Sequence, residues 1–270
     1  MDDVAEPSWA IDPETRSRLR LDIIHRAMEN EDFVTAIVEL EELLHESPEQ
    51  LEALELLADC TLELGDAMGA VPIYEHRLRV GEASVDLLCG LAVARFEACE
   101  IVGSVEAARD AIRHDPSAAE AHYTLGLALE LLPGKSNDAS QAFVAAHQLD
   151  SESYPFPLTH SSDEWKALLE AALLTVPHPV SEFWQGVPFH LLDRPDLDEL
   201  RDSDPPIAPS VLGLFLGEPP EGESPDEYRP EAMRLYLCNL ARLGSDEHVL
   251  DEIGALLEAE AEAWLGYMHE

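Results

Sequence analysis

Residues 119–132 read AEAHYTLGLALELL and residues 138–150 read DASQAFVAAHQLD. Each stretch spans at least three helical turns and repeats apolar residues every three or four positions. Pro133-Gly134 breaks the chain between them, so the pair predicts a helical hairpin. The hairpin recurs upstream. Ile23, Leu57, Leu91 and Leu125 recur with a constant period of 34, and the residues after them are Ile24, Ala58, Ala92 and Gly126. A second series runs Ala36, Ala70, Ser104, Ala139, and a third runs Leu40, Tyr74, Ala108, Phe143. Both gain one residue at the last step, where Pro133 and Gly134 lengthen the turn. Pro48 and Pro116, two periods apart, end the second helix of the first and third repeats. Small side chains at 58, 92 and 126 let antiparallel helices approach closely, and four hairpins exceed the roughly three needed to bury a continuous stacked core.

This pattern resembles the tetratricopeptide repeat, with Leu125-Gly126, Ala139, Phe143 and Ala146 at the pattern positions. The resemblance implies an α-solenoid over residues 19–153, behind an acidic N-terminal segment at 1–18, with a concave groove for a peptide or protein partner. Arg26, Asp59, Arg95 and His122 are the candidate groove residues on the inner helices, each equally readable as part of a solvated helix face. The alternative role for the repeats is to brace the rest of the chain. Pro133-Gly134-Lys135-Ser136 contains the end of a phosphate-loop motif. Its earlier glycine position holds Leu129 and it lies between helices, so it is a turn.

The chain carries 56 acidic residues against 16 Lys and Arg among 270, a formal net charge of −40. Nucleic acid and anionic membrane surfaces need clustered Lys and Arg to displace counterions, so neither is an expected partner. A basic protein or peptide suits such a surface, and solubility alone is an equally physical use of it. No apolar h-region opens the chain, and no uninterrupted apolar run approaches the roughly 18 residues that span a bilayer. Cys60, Cys89, Cys99 and Cys238 form no CxxC pair and sit in apolar patterns, as reduced core thiols do. A cytoplasmic location is the expectation from these features.

The composition shifts at SESYPFPLTHSS (151–162), which places a linker at residues 154–162. The rest, 163–270, reads as α+β. Ser162 caps a helix that ends at Pro177, and strand-length apolar runs follow at 187–192 and 211–216. An acidic proline-rich loop covers Glu218 to Pro230, Arg234–Cys238 alternates like a strand, and a last helix capped by Ser245 or Asp246 runs through Ala263. The order and the segments VPFHLLDRPD, LGLFLG, RLYLCNLARL and LDEIGALL resemble the small bacterial zincin-like metallopeptidases. The expected architecture is therefore mostly α: an N-terminal tetratricopeptide-type α-solenoid followed by a small α+β zincin-like domain.

In that family the last helix carries HExxHxxG, whose two histidines bind zinc from one helical face while the glutamate activates water. Here the corresponding stretch is Ala259-Glu260-Ala261-Glu262-Ala263-Trp264-Leu265-Gly266. Glu260 keeps the general-base place and Gly266 the glycine. Ala259 and Ala263 occupy both histidine places and offer no donor atom, so the resemblance implies no zinc, no other cofactor and no catalytic residue. Three readings of the helix stand beside one another: a solvated face of strong helix formers, a hard-cation site from Glu252, Glu258 and Glu262, and a rebuilt zinc site from His248 and His269. The function expected is a protein–protein interaction scaffold or regulatory pseudoenzyme, and an intact metallopeptidase relative is one candidate partner. The rivals are a hydrolase with a site outside that motif, and an acidic protein that sequesters a basic partner.

Overall fold

The computed structural model describes residues 13–178, 180–217 and 231–267. The acidic start of the chain, the Glu218–Pro230 loop and His269 lie outside them. Two compact units divide at Ala142 and Phe143.

In the first unit the helices are α1 (Pro13–Glu29), α2 (Phe33–Glu46), α3 (Leu51–Glu63), α4 (Ala67–Val80), α5 (Val85–Glu97), α6 (Ile101–His114) and α7 (Ala119–Glu130), and α8 (Ser136–Leu149) crosses the unit boundary. Consecutive helices pack together from α1 to α7. Alternate helices also meet, α3 with α5 and α5 with α7, so the first helices of successive hairpins form an inner layer. These are the stacked helical hairpins that the period of 34 predicts.

Each hairpin turns by the same physical device. Glu31, Gly65 and Cys99, spaced by one period each, have φ of 58°, 82° and 60°, and Gly134 follows at 73° after the one-residue slip. In the first three, the next residue's N–H reaches back five residues: Asp32 to the Ala27 carbonyl at 2.8 Å, Asp66 to Thr61 at 3.1 Å, Glu100 to Arg95 at 2.7 Å. The left-handed residue itself donates to the carbonyl three back, of Met28, Leu62 and Phe96. Together these bonds satisfy the carbonyls that a helix end leaves open. Asp32 and Asp66 then cap the following helices, accepting from the N–H groups of Thr35 at 3.1 Å and Gly69 at 2.8 Å.

Between the helices, Ala36, Leu40, Ala58, Ala70, Ala92 and Ala108 are fully buried. Ser104 breaks the alanine series, but its hydroxyl donates to the Ala92 carbonyl at 2.8 Å, so the buried oxygen is satisfied. Arginines tie neighbouring helices: Arg20 on α1 to Glu39 and Glu42 on α2, and buried Arg77 on α4 to Glu55 on α3 at 2.5 Å.

The second unit takes in the end of α8, where Phe143 lies under the Arg242 guanidinium at 5.4 Å and the His147 ring packs on Phe156 at 3.8 Å. These contacts place the division between units earlier than the linker at 154–162. Then come α9 (Ser162–Thr175), α10 (Val180–Phe183), β1 (Phe189–Leu192), α11 (Leu197–Asp202), β2 (Gly213–Leu216), β3 (Ala232–Tyr236), α12 (Leu237–Leu240) and α13 (Asp246–Tyr267). Ser161, one residue before the expected Ser162, caps α9 in a reciprocal box with Glu164. The expected strand through Cys238 stops at Tyr236, because Leu237 starts a helical turn and the buried Asn239 amide donates to the Pro209 and Val211 carbonyls at 2.9 and 2.6 Å. The sheet order is β1-β3-β2, with β1 parallel and β2 antiparallel to β3. A Cβ on Gly213 would stand 2.4 Å from the Arg234 carbonyl oxygen, so only glycine lets β2 pair there. Trp165, Leu169 and Ala172 of α9 share a core with Met233, Leu235, Val249, Ile253 and Leu257, and the Trp184 indole donates to the Leu257 carbonyl at 3.0 Å. Among the described residues no helix is long and apolar enough to cross a membrane.

The repeated turn makes a prediction about backbone strain. Glu31→Gly should stabilise the fold by about 0.5–1 kcal/mol, because an L-residue held left-handed costs about 1–2 kcal/mol and the gain is offset by unfolded-chain entropy. Gly65→Ala should cost about 1 kcal/mol, and since no atom lies within 4 Å of the added Cβ, the cost is in the backbone alone. Urea denaturation of the two variants measures both.

Candidate functional site

The inner layer of the repeats encloses a groove of about 680 Å³. Glu31 enters it from the first turn, Met28 from α1, Phe33 from α2, Asp59, Leu62 and Glu63 from α3, Tyr74 from α4, Asp86, Gly90 and Val93 from α5, and Glu120 from α7. Five carboxylates thus line one cavity beside four apolar side chains, and none of these lining residues is Lys, Arg or His.

The floor is built by close approach. Tyr74 is buried, and its hydroxyl donates to Asp59 Oδ1 at 2.5 Å. A Cβ on Gly90 would fall 2.7 Å from that hydroxyl oxygen, so the glycine makes the space the phenol occupies. Asp59 has its pKa raised, first by burial and then by repulsion from Glu55, Glu63 and Asp86, although the Tyr74 bond acts the other way. Glu120 is exposed at its surface, yet the protein atoms around its carboxyl raise its pKa, with Asp86 and Asp59 adding to the shift. Burial pushes the Cys89 thiol up to about 12 and Cys60 to about 11, with neighbouring carboxylates contributing, so neither is a nucleophile at neutral pH. Among the described residues, none of Glu31, Asp59, Glu63, Asp86 and Glu120 sits in an ion pair. The nearby arginines are committed elsewhere, Arg77 to Glu55 and Arg95 to Glu75. The arrangement holds concentrated negative charge in a partly desolvated, partly apolar trough.

Of the residues singled out from the sequence, Asp59 lines this groove. Arg26 is exposed, and its carbonyl accepts from the Asn30 amide at 2.6 Å. Arg95 donates to Glu75 at 2.8 Å and to the Gly103 carbonyl at 3.2 Å, a staple between helices. His122 stays by its own turn, a ring nitrogen 3.1 Å from the Pro116 carbonyl. The groove carboxylates missed in the sequence had a legible signal: Glu52, Asp86 and Glu120 recur once per period at the start of inner helices, as do Glu29, Glu63 and Glu97 at their ends.

In the second unit, Ala259 and Ala263 are exposed on α13, Ala261 is buried, and Glu260 is half-buried with its pKa raised by desolvation. Among the described residues no three of His, Cys, Asp or Glu converge on a cation position, Glu252, Glu258 and Glu262 included. A ring nitrogen of His248 lies 3.2 Å from the Leu243 carbonyl.

No protein-family model matches the chain, and no curated protein matches it in sequence. Among solved structures it is similar to MamA, at 22% identity over 48% of this chain and 75% of that one, with a TM-score of 0.45. It is also similar to MamA from residue 41 to the end from Desulfovibrio magneticus RS-1, at 20% identity over 53% and 79% of the two chains, with a TM-score of 0.46. A third is YrrB, described as a TPR protein with an unusual peptide-binding site, at 16% identity over 50% and 69%, with a TM-score of 0.44. At these identities no residue role passes from those proteins to this one.

The raised carboxyl pKa values carry a sign. Asp59 and Glu120 hold protons more tightly folded than unfolded, so what they contribute to stability is largest at acid pH and is lost as pH rises from the ordinary carboxylate value through the raised one. Asp59→Asn keeps an acceptor for the Tyr74 hydroxyl while removing the charge, and should raise Tm at pH 7. That gain should shrink as pH falls into the carboxylate range, which thermal melts across pH will measure.

Proposed function

We propose that the protein is a protein–protein interaction scaffold whose repeat groove takes a basic segment of a partner polypeptide. The observation that carries this reading is the groove itself, five carboxylates in one cavity whose lining holds no cation. Carboxylates gathered without countercharge repel one another and destabilise the chain that carries them, a trade commonly made at binding sites. Lysine and arginine suit such a trough, because their charged heads meet carboxylates while their methylene stems lie along Leu62, Val93, Met28 and Phe33.

Because the whole surface is acidic, the test needs a control matched in charge. A fluorescein-labelled peptide of alternating Lys and Leu is titrated against the full chain by anisotropy at low and high salt. The triple variant Asp59→Asn, Asp86→Asn, Glu120→Gln should weaken binding by about tenfold or more, since one charge-assisted bond contributes about 1.5–3 kcal/mol. The control triple Glu41→Gln, Glu106→Gln, Glu170→Gln alters exposed carboxylates outside the groove and should change affinity less than twofold once salt shortens the Debye length toward about 3–10 Å. Equal weakening by both triples would defeat the groove reading and favour diffuse sequestration by the acidic surface.

The second unit reads as a metallopeptidase-like domain without metal chemistry, which makes the chain a regulatory pseudoenzyme. Three features support this: the order of α9, the strands and α13, the packing of α13 on α9, and methyl groups at Ala259 and Ala263, where the resembled motif has imidazoles. With no ligand to polarise water, a half-buried Glu260 has nothing to deprotonate. Elemental analysis of the purified full chain should find zinc far below one per chain. Zinc at unit stoichiometry, with peptide cleavage lost in Glu260→Gln, would restore an enzyme.

A further inference from the structure

The first turn of a helix favours acidic side chains, and α3, α5 and α7 place Glu52, Asp86 and Glu120 there. The second helices α2, α4 and α6 place none, in a chain with 56 acidic residues. Their first turns instead carry Val34, Met68 and Val102, one period apart and 62%, 52% and 63% exposed. On α6, steps of four, three and four residues continue the same stripe through Glu106, Arg109 and Arg113, all exposed. The stripe lies on the side of the helix away from buried Ser104, Ala108 and Ala111, so the hairpin's own packing does not use it.

The charges there differ from those of the chain as a whole. α4 and α6 together hold four arginines against three acidic residues, whereas the chain holds 16 Lys and Arg against 56 Asp and Glu. Arg113 meets Asp110 on its own helix, while among the described residues Glu106 and Arg109 sit in no ion pair, even with each other. The earlier repeats lack this combination. In α4 the equivalent stripe is Met68, Pro72, Glu75 and Arg79, and Glu75 is already held by Arg95. In α2 it is Val34, Val38, Glu41 and His45, with no arginine. Only α6 keeps a glutamate and an arginine both uncommitted beside an exposed apolar residue.

We infer that α6 is a self-association surface that packs antiparallel on α6 of a second copy across a two-fold axis. A two-fold contact needs a patch that complements itself after half a turn. With the axis between Glu106 and Arg109, this stripe does so. Arg109 of each copy faces Glu106 of the other, and Val102 faces the methylene stem of Arg113 in the other copy. Antiparallel alignment also sets the N-terminus of each helix beside the C-terminus of its mate, which the helix dipoles favour. Charge complementarity selects this occupant. Two chains of net charge −40 approach with least repulsion where α4 and α6 relieve the acidity. A basic foreign segment would leave Arg109 unmatched and an acidic one would leave Glu106 unmatched, whereas a second copy matches both.

Sedimentation equilibrium of the full chain tests this, at about 0.15 M salt, where a Debye length of about 8 Å screens the long-range repulsion. One helix pair makes a small interface, so the expected species is a reversible dimer with a Kd in the micromolar range. Arg109→Glu should weaken the dimer by about tenfold or more, because symmetry applies the reversal twice. Adding Glu106→Arg to that variant should restore affinity to within about threefold, since the pair is then the same with its signs exchanged. Arg26→Glu makes the same change of net charge on exposed α1 and should alter affinity less than about twofold. Positions 106 and 109 are exposed, so all variants should melt as the natural protein does. A monomer at every concentration up to about 100 µM would overturn the inference. So would a dimer indifferent to Arg109→Glu, or one that the double reversal fails to restore. The stripe lies on the second helices and the groove on the inner layer, so neither reading depends on the other's outcome.

Discussion

Close approach of antiparallel helices is the constraint on which the repeat unit depends. Fully buried Ala36, Ala58, Ala70, Ala92 and Ala108 let the helices nest at short range, and larger Leu40 and Tyr74 fill what remains. Such packing leaves no room for error in the turns, so the first three hairpins close with the same pair of bonds around a left-handed residue, and the fourth also turns at a left-handed residue. Glycine takes the left-handed place at Gly65 and Gly134, while Glu31 and Cys99 take it at a backbone cost that the surrounding core overrides.

The groove follows from that layering. Once the second helices take up one face of the first, the residues left facing inward are free of packing duty, and here they are acidic. Tyr74 joins the two roles: its ring is buried in the interhelical core while its hydroxyl reaches Asp59 at the groove floor. Gly90 supplies the space. One carboxylate of the site, Asp59, is thus anchored to the core, while Glu31, Glu63, Asp86 and Glu120 are exposed around it.

The C-terminal unit solves a different problem. A three-stranded sheet with short strands buries little by itself, and its stability comes from α9 and α13 packed together around Trp165, Trp184 and Leu257. The exposed Ala259 and Ala263 on that last helix present methyl groups, which suits contact with a polypeptide better than coordination of a cation.

The period of 34 was enough to place α1 to α8 and to name Ala36, Ala58, Ala70 and Ala92 as interhelical residues, because a stacked fold repeats its packing demand at every step. The acidic recurrence of Asp86 and Glu120 was equally legible. Asp59 was named as a groove residue, but Arg26, Arg95 and His122 were not brought there, because charge type in a sequence does not say which way a helix faces. Arg95 was claimed by Glu75 of the preceding helix, a pairing set by the geometry between helices. The end of β3 at Tyr236 and the division inside α8 were likewise decided in three dimensions, by the Asn239 amide and by Phe143 and His147. Local periodicity determines which elements form. Which charges meet, and where one core ends and the next begins, depends on partners far apart in the chain.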